Sequence, residues 1–335
     1  FNKYINVLDC FNIYGEFNVS NEKMLHAAAI SAELLDNNED GIVDDQSIAN
    51  SLRSLNAMMP LFNSESSPGI DNVINYYDGC IGAALFNNEI DPSKAGKWGY
   101  DASVEEILHT INNCGHVKIY PEVFSLEPNS SLLTDAMDVA RGGQFINMPN
   151  EYPEESWYHY DDQTCDYECM AMEYLYWSIV SNMGILNDPE TCDGISNEWE
   201  LCSPLLFSST DTMMHSIIID SQYQLPQLAP NGKYCPASLL TETNNYIPIK
   251  YNLLSVYPNP FNPVTTIHYS LSSNMNIKIV IYDIMGRVVE LLFNGYKTVG
   301  DHYINWNASS YPSGIYFVIL TTMQSQQSQK IILIK

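Results

Sequence analysis

Apolar residues alternate with polar ones through the final part of the chain, and this period of two constrains the fold more than any other feature. Strand-like segments separated by Gly, Asn and Ser turns cover residues 265–271, 276–281, 288–292, 302–306, 315–320 and 329–334. Such alternation is typical of strands that bury one face, and a series of short strands predicts two packed antiparallel sheets. We therefore expect an all-β, immunoglobulin-like sandwich at this end of the chain.

Short motifs in the same region carry a family resemblance. They are Tyr257-Pro258-Asn259-Pro260-Phe261-Asn262-Pro263, Ile281-Tyr282-Asp283-Ile284-Met285-Gly286-Arg287-Val288-Val289, Asn305-Trp306-Asn307-Ala308, Ser313-Gly314-Ile315-Tyr316 and Lys330-Ile331-Ile332-Leu333-Ile334-Lys335. In this order they resemble the type A C-terminal sorting domain of the type IX (Por) secretion system of Bacteroidetes-like bacteria. The resemblance covers 257–335 and implies one partner, the type IX secretion machinery. It also implies export across the outer membrane, followed by release or surface attachment, but no chemistry.

The first 240 residues show helical periodicity instead. Helices are predicted at 22–35, 47–59, 103–114, 132–140 and 166–183, the second of them stopped by Pro60. Residues 61–100 are predicted to be mostly loop, and 241–256 to be a linker. The expected architecture is multidomain, with a mainly α (α+β) extracellular domain over 1–240 and the sandwich over 257–335.

Acidic residues dominate the chain before residue 257. This part carries nine basic and 37 acidic residues, a net charge of −28, whereas the remainder carries five basic and three acidic residues. Such a surface repels nucleic acid and anionic membranes. The sequence has no run of 18 apolar residues, so it predicts no transmembrane helix. No signal peptide precedes Phe1, so for an exported chain we expect a processing site before it.

Eight cysteines indicate a disulfide-stapled N-terminal domain. They lie at positions 10, 80, 114, 165, 169, 192, 202 and 235. An even number in an exported chain is typical of a disulfide framework, and eight cysteines allow 105 pairings, so the connectivity stays open. A thiolate metal site is the alternative, although only Cys165 and Cys169 are close in sequence.

An acidic loop between the first two predicted helices has the spacing of the first half of an EF-hand loop. The candidate ligands are Asp36, Asn38, Asp40, the Ile42 carbonyl and, as closing ligands, Asp44 and Asp45. Gly41 at the sixth position permits the sharp turn, but the twelfth position is Ser47 and not Glu. The loop predicts a structural Ca²⁺ site, with an acidic helix–helix turn as the alternative.

A second constellation lies on the helix predicted at 103–114. Glu105 and His109 are one turn apart and share a helix face, as do Glu106 and His109. The segment resembles the HExxH motif of zincins, with Glu in place of the first His. The resemblance implies that Glu105 and His109 are Zn²⁺ ligands and that Glu106 is the general base.

Helix capping offers a competing explanation for the two glutamates. Ser103 and Glu106 have the spacing of a capping box, and Glu105 in the first turn suits the helix dipole. Capping does not account for His109.

A third metal ligand is sought elsewhere in the chain. Glu173 lies in an apolar-aromatic run, where an unpaired carboxylate is costly to bury. One zincin branch takes its third ligand from a Glu on a second helix, which favours Glu173. His159, Asp161 and His116 are rivals, and a hydrogen bond from Glu173 to tyrosine hydroxyls or to Arg141 is the alternative.

Arg141 is one of two arginines before the sorting region, the other being Arg53. Beside Gly142 and Gly143 it could clamp a substrate carboxylate, or it could pair structurally with Asp161 or Glu173.

Two functions from different classes follow. The first is a secreted or surface zinc-dependent hydrolase, most simply a peptidase, acting on a peptide or surface polymer. The alternative is a non-catalytic calcium-binding surface, adhesion or extracellular-assembly protein that makes contacts through some of its 23 tyrosines. Convergence of Glu105, His109 and Glu173 would favour the first.

Overall fold

A computed structural model describes residues 1–235, 255–271, 274–322 and 326–335. The chain divides into two compact units, which span Lys3–Tyr246 and Ile247–Lys335. The predicted linker 241–256 lies almost wholly outside the described residues, and only its last two residues enter a strand, β5.

The N-terminal unit is an α/β domain with one mixed sheet. Its strands are β1 Lys3–Val7, β2 Phe11–Gly15, β3 Met58–Phe62 and β4 Leu85–Phe86, in that spatial order. β1 and β2 pair antiparallel, whereas β2, β3 and β4 run parallel to one another. The helices are α1 Asn21–Leu35, α2 Gln46–Ser54, α3 Gly69–Tyr76, α4 Ser103–Ile111, α5 Val117–Ile119, α6 Pro121–Phe124, α7 Leu132–Ala140, α8 Tyr167–Met183, α9 Pro189–Ile195, α10 Pro204–Thr210 and α11 Thr212–Ile218.

Helix α1 connects the sheet to the rest of this unit. Ser20 caps its N-terminus, and its buried residues include Met24, Ala28 and Leu35. The helix packs against β1, β2 and α4. No helix in the described part of the chain is both long and apolar enough to cross a membrane.

The prediction for residues 47–100 needs correction. Helix α2 ends at Ser54, and Pro60 lies inside strand β3 instead of stopping a helix. β3 tolerates a proline because its pairing with β4 begins one residue later, at Leu61, so the missing N–H is not needed there. The stretch predicted as mostly loop contains β3 residues, α3, β4 and a 3₁₀ turn at Asn87–Glu89.

Three disulfides stabilise the N-terminal unit: Cys80–Cys114, Cys165–Cys169 and Cys192–Cys202. Cys10 is a buried free thiol and Cys235 an exposed one. The expectation of a disulfide framework is therefore confirmed.

The C-terminal unit is all-antiparallel β. One sheet has the order β11-β10-β7-β8 and the other β5-β6-β9. The strands are β5 Ser255–Tyr257, β6 Val264–Leu271, β7 Met275–Asp283, β8 Val288–Lys297, β9 Gly300–Asn307, β10 Gly314–Thr322 and β11 Gln326–Leu333. Side chains from both sheets form one core, in which Trp306 packs against Phe261 and Tyr316. The period of two predicted this sandwich correctly.

Candidate metal centre on helices α4 and α8

Helix α4 presents the predicted motif. Its buried face consists of Val104, Ile107, Leu108 and Ile111, which spaces Glu105 and His109 one turn apart beside the core. The helix does not stop where the sequence suggested. It continues through a π-helical turn at Asn112–His116 into α5, so His116 lies within the helical run and not beyond its end.

The competing capping box is absent. The N-cap residue is Ala102, and the Ser103 hydroxyl donates to Asp101 Oδ1 at 2.7 Å instead of capping the helix. Glu106 therefore has no capping role at this helix start. Helix capping no longer explains why two glutamates precede His109.

Helix α8 brings Glu173 to α4. Asp166 caps its N-terminus by accepting from the Cys169 amide at 3.0 Å, and Gly184 ends it in the left-handed conformation with a φ of 77°. Residues 174–181 along the helix are all buried. Glu173 itself keeps a side chain that is 17% exposed.

Glu105, His109 and Glu173 converge. Each offers a ligand atom within 4.8 Å of the others, and His109 Nε2 lies 3.4 Å from Glu173 Oε1. His109 is 6% exposed; among the described residues its Nδ1 has no hydrogen-bond partner, and its Nε2 has the 3.4 Å contact with Glu173 as its polar neighbour. A buried imidazole in this condition is costly, and a cation bound at its nitrogen would remove that cost.

The electrostatics of the group point the same way. Burial, followed by the nearby carboxylates, raises the pKa of Glu105 to about 7 and that of Glu106 to about 8. Burial would lower the pKa of His109, but Glu173, Glu106 and Glu105 together outweigh it and raise the pKa to about 9. Three carboxyl groups thus interact with one imidazole. This excess of acidic groups would favour the binding of a cation.

Tyrosines enclose the group. The Tyr176 ring lies 5.6 Å from the His109 ring, centroid to centroid, and its hydroxyl interacts with Glu105. Burial and the charge of Glu173 raise the pKa of Tyr158 and Tyr160, so both hydroxyls stay protonated. Tyr176 is not among the residues predicted for this site, although it follows Glu173 by about one helical turn in α8.

The rival third ligands lie in other environments. His159 Nε2 is 2.9 Å from the Ser156 carbonyl and Nδ1 is 3.8 Å from Glu200. His116 is buried, with Nε2 3.1 Å from the Tyr223 carbonyl, and burial lowers its pKa to about 4. The Asp161 carboxylate accepts a hydrogen bond from the side-chain amide of Asn197. Glu173 is the residue that joins Glu105 and His109.

Arg141 is not available to a substrate in this structure. It is 0% exposed, donates to the Phe145 carbonyl and the Met170 sulfur, and has the rings of Phe145, Tyr152 and Tyr167 around its guanidinium. In the described part of the chain it forms no ion pair with Asp161 or Glu173. Its role is to fill the core beside α7 and α8.

The acidic loop follows helix α1 as predicted and is ordered by its own side chains. Asp36 accepts from the amides of Asp40 and Gly41 and from the Tyr234 hydroxyl. Asp44 accepts from the Asn37 amide at 2.8 Å. Asp45 caps α2 and accepts from the Tyr120 hydroxyl, so it serves the helix start. Calcium binding by this loop stays a prediction.

Comparison with known proteins assigns the C-terminal unit alone. Residues 255–335 match the family described as the secretion system C-terminal sorting domain. The recognised region is thus confirmed, beginning two residues earlier than the motifs indicated. The chain is exported through the type IX system across the outer membrane, to the cell surface or the extracellular space. Among curated proteins no sequence matches the chain.

Three solved structures are similar to parts of the chain. One is PorZ of Porphyromonas gingivalis, a surface component of the type IX secretion system, with 24% identity over 24% of this chain and 11% of PorZ, at a TM-score of 0.19. Another is a Bacteroides vulgatus DUF3244 protein with an immunoglobulin-like sandwich, with 17% identity over 24% of this chain and 82% of its own, at a TM-score of 0.18. An engineered protein is 9% identical over 83% of this chain and 64% of its own, at a TM-score of 0.23. At these scores the similarities carry no inference.

Proposed function

We propose that Glu105, His109 and Glu173 bind a divalent metal ion, Zn²⁺ first, and that the exported chain is a metal-dependent hydrolase, most simply a peptidase. The observation that carries this proposal is His109. It is a buried imidazole whose Nδ1 has no hydrogen-bond partner among the described residues and whose Nε2 lies 3.4 Å from Glu173 Oε1. One ligand atom from each of Glu105, His109 and Glu173 lies within 4.8 Å of the others.

The donor set fits such an ion. Imidazole and carboxylate are ordinary Zn²⁺ ligands, and three protein ligands are the usual number in a catalytic site. The raised pKa values of Glu105 and His109 describe the chain without a cation, where both groups tend to hold protons. A cation among them favours the deprotonated forms that act as ligands.

Glu106 is the proposed general base. When bound, the ion would polarise a substrate carbonyl and acidify water. Glu106 precedes His109 by three residues, so its carboxylate lies on the same side of α4 as the ligands. Positive charge nearby would bring its pKa down from about 8, so that it can accept a proton at neutral pH. His109 is 6% exposed and Tyr176 packs against its ring, so its interactions act in a low-dielectric environment that strengthens them.

The test of this proposal compares wild type with Glu106→Gln in the full chain. Both are loaded with Zn²⁺ and incubated with a mixed peptide library, whose cleavage is read by mass spectrometry. We expect the variant to keep its metal and to lose about 10²- to 10⁴-fold in cleavage rate. Equal cleavage by both proteins would remove Glu106 from the mechanism, and no cleavage by either would reject the peptidase.

The non-catalytic alternative has an observation of its own. The acidic loop is flanked by α1 and α2, and burial, with smaller contributions from the charges of Asp36 and Asp40, raises the pKa of Asp44. We infer that this loop binds Ca²⁺ through Asp36, Asn38, Asp40 and the Ile42 carbonyl, in a structural role. Calorimetric titration of wild type and Asp36→Ala with Ca²⁺ tests it, and identical heats for the two proteins would reject it.

A further inference from the structure

Asp101 is a buried carboxylate that collects hydrogen bonds just before helix α4. It is 3% exposed. Its Oδ1 accepts from the Ser103 hydroxyl at 2.7 Å, the Asp91 amide at 3.2 Å and the Ser103 amide at 3.4 Å. Its Oδ2 accepts from the Gly96 amide at 2.6 Å and lies 2.8 Å from His26 Nε2. One side chain thus ties the loop 91–101 to the start of the helix.

His26 differs from the other donors because it comes from a separate element. It lies on α1, is 4% exposed, and is the donor in this set that lies outside residues 91–103. An ionised carboxylate only accepts hydrogen bonds, so Nε2 carries the proton in this contact. The contact therefore fixes the α4 start relative to α1, which itself packs against the sheet.

The start of α4 has no side-chain cap, and Asp101 anchors it instead through Ser103. The N-cap residue Ala102 offers no side chain to the first amides. Glu105 lies in the first turn, directly after this anchor, and His109 lies one turn later. Glu105 and His109 project from the same helix and move with it. A small rotation at the start of α4 would therefore move both side chains away from Glu173 on α8. Metal sites tolerate only about 0.5 Å of such displacement.

We propose that His26, acting through Asp101, is a positioning residue for the metal centre formed by Glu105, His109 and Glu173. This inference rests on the metal binding proposed above. His26 itself contacts no ligand atom of the site. It sets the position from which α4 presents Glu105 and His109 toward Glu173.

The experiment measures Zn²⁺ affinity of the full chain by competition with a chromophoric chelator. We expect His26→Ala to weaken Zn²⁺ binding about 10- to 100-fold, the range typical of losing an outer residue that orients a metal site. His26→Gln should restore most of the affinity, because its amide nitrogen can take the place of Nε2 and donate to Asp101. Ser31→Ala is the matched control. It removes a buried hydrogen bond of the same helix, from the Ser31 hydroxyl to the Ala27 carbonyl at 2.8 Å, without touching Asp101.

The outcomes separate this inference from the proposed function. Wild-type affinity in His26→Ala, an equal loss in Ser31→Ala, or no recovery in His26→Gln would each overturn the positioning role while metal binding stands. If the wild type binds no Zn²⁺, both proposals fail together. Circular dichroism melts of each variant establish that affinity is compared between folded proteins.

Discussion

His109 projects from α4 with 6% of its surface exposed, and the charges of Glu173, Glu106 and Glu105 act on its ring. Without a cation, His109 and the three glutamates cannot all keep their ordinary protonation states at low cost. Either the imidazole is charged and buried, or the carboxyl groups hold protons against their ordinary tendency. Both arrangements cost folding free energy, and a bound metal ion relieves both. The free energy of unfolding of the metal-free chain should therefore depend on pH.

We predict that the metal-free chain loses stability as pH rises from about 4.5 to about 9. Glu105 and Glu106 have folded pKa values of about 7 and about 8, above the ordinary 4.5, so the folded state binds more protons than the unfolded state. Their contribution is complete below pH 4.5 and is lost as pH rises through these values. His109, raised from 6.5 to about 9, changes stability in the same direction over a higher window. Urea titrations in chelator at several pH values measure it.

Glu106→Gln provides the control for that titration. The variant removes one titrating group and should flatten the slope between pH 5 and 8 without abolishing it. Excess Zn²⁺ should reverse the trend in the wild type, because the ligands must lose protons to bind the ion. Parallel slopes in wild type and variant would show that the pKa of Glu106 is not raised in the folded chain.

The site was only partly predictable from sequence at this scale. Glu105 and His109 follow from helical spacing, since residues four apart share a face whatever the fold. Choosing Glu173 over His159 did not follow, because 64 residues separate Glu173 from His109 and sequence distance says nothing about which turn of α8 meets α4. The contact of His26 with Asp101 was missed because a residue on another helix carries no local signal.

Helix α4 is held along its length by neighbouring elements. At its far end the segment 80–83 crosses the helix, where the Ala83 amide donates to the Thr110 hydroxyl at 3.1 Å and Cys80 is bonded to Cys114. Gly82 makes this crossing possible. A Cβ there would lie 2.5 Å from Thr110 Cα and 2.6 Å from the His109 carbonyl oxygen. The backbone of His109, the proposed ligand, is therefore held by a contact that only glycine permits.

Gly82→Ala should push α4 away from this segment. We expect a loss of about 1–3 kcal/mol in the free energy of unfolding and weaker Zn²⁺ binding, because His109 must shift with its backbone. Chemical denaturation and metal titration of the purified variant measure the two effects. Gly314→Ala is the control, since a Cβ at that position meets nothing within 4 Å and should change neither. If Gly82→Ala is as stable as the wild type, the segment 80–83 moves to accommodate the new Cβ and helix α4 stays in place.

Prediction of the elements depended on how local their causes are. Helix α7 has the predicted bounds, and the structure shows a local cause for its start, since Ser131 caps it. The predicted extension of helix α2 through residues 55–59 was wrong. Met58 and Met59 are compatible with a helix locally, but pairing with the sheet places them in strand β3. The π-helical turn at Asn112–His116 was missed because its cause is tertiary, including the Cys80–Cys114 bond and the packing of α2.

The two units of the molecule carry different information. Residues 255–335 match the sorting domain and specify where the chain goes. The N-terminal unit contains the candidate metal centre and the acidic loop. Residues 1–256 carry a net charge of −28 and the remainder is net positive by two, which gives −26 for the chain. The sorting domain could be recognised from short motifs alone, since they are properties of sequence. A site assembled by folding cannot be recognised in that way.

Deletion of residues 255–335 should stop export without preventing metal binding. We expect the shortened chain to remain inside the outer membrane, because the segment that the secretion machinery recognises is missing. Cell fractionation and protease treatment of intact cells, both followed by immunoblot, measure this. Full-length Glu106→Gln, which keeps the sorting domain, should reach the surface like the wild type. Surface exposure of the shortened chain would mean that another segment directs export.

Metal content tests the central claim most directly. Natively purified wild type and His109→Ala are compared by elemental mass spectrometry, with calcium measured in the same samples. We predict about one Zn²⁺ or other transition metal ion per wild-type chain and its loss in His109→Ala, while any calcium stays unchanged. Calcium alone in both proteins would contradict the metal centre and favour a calcium-binding surface protein.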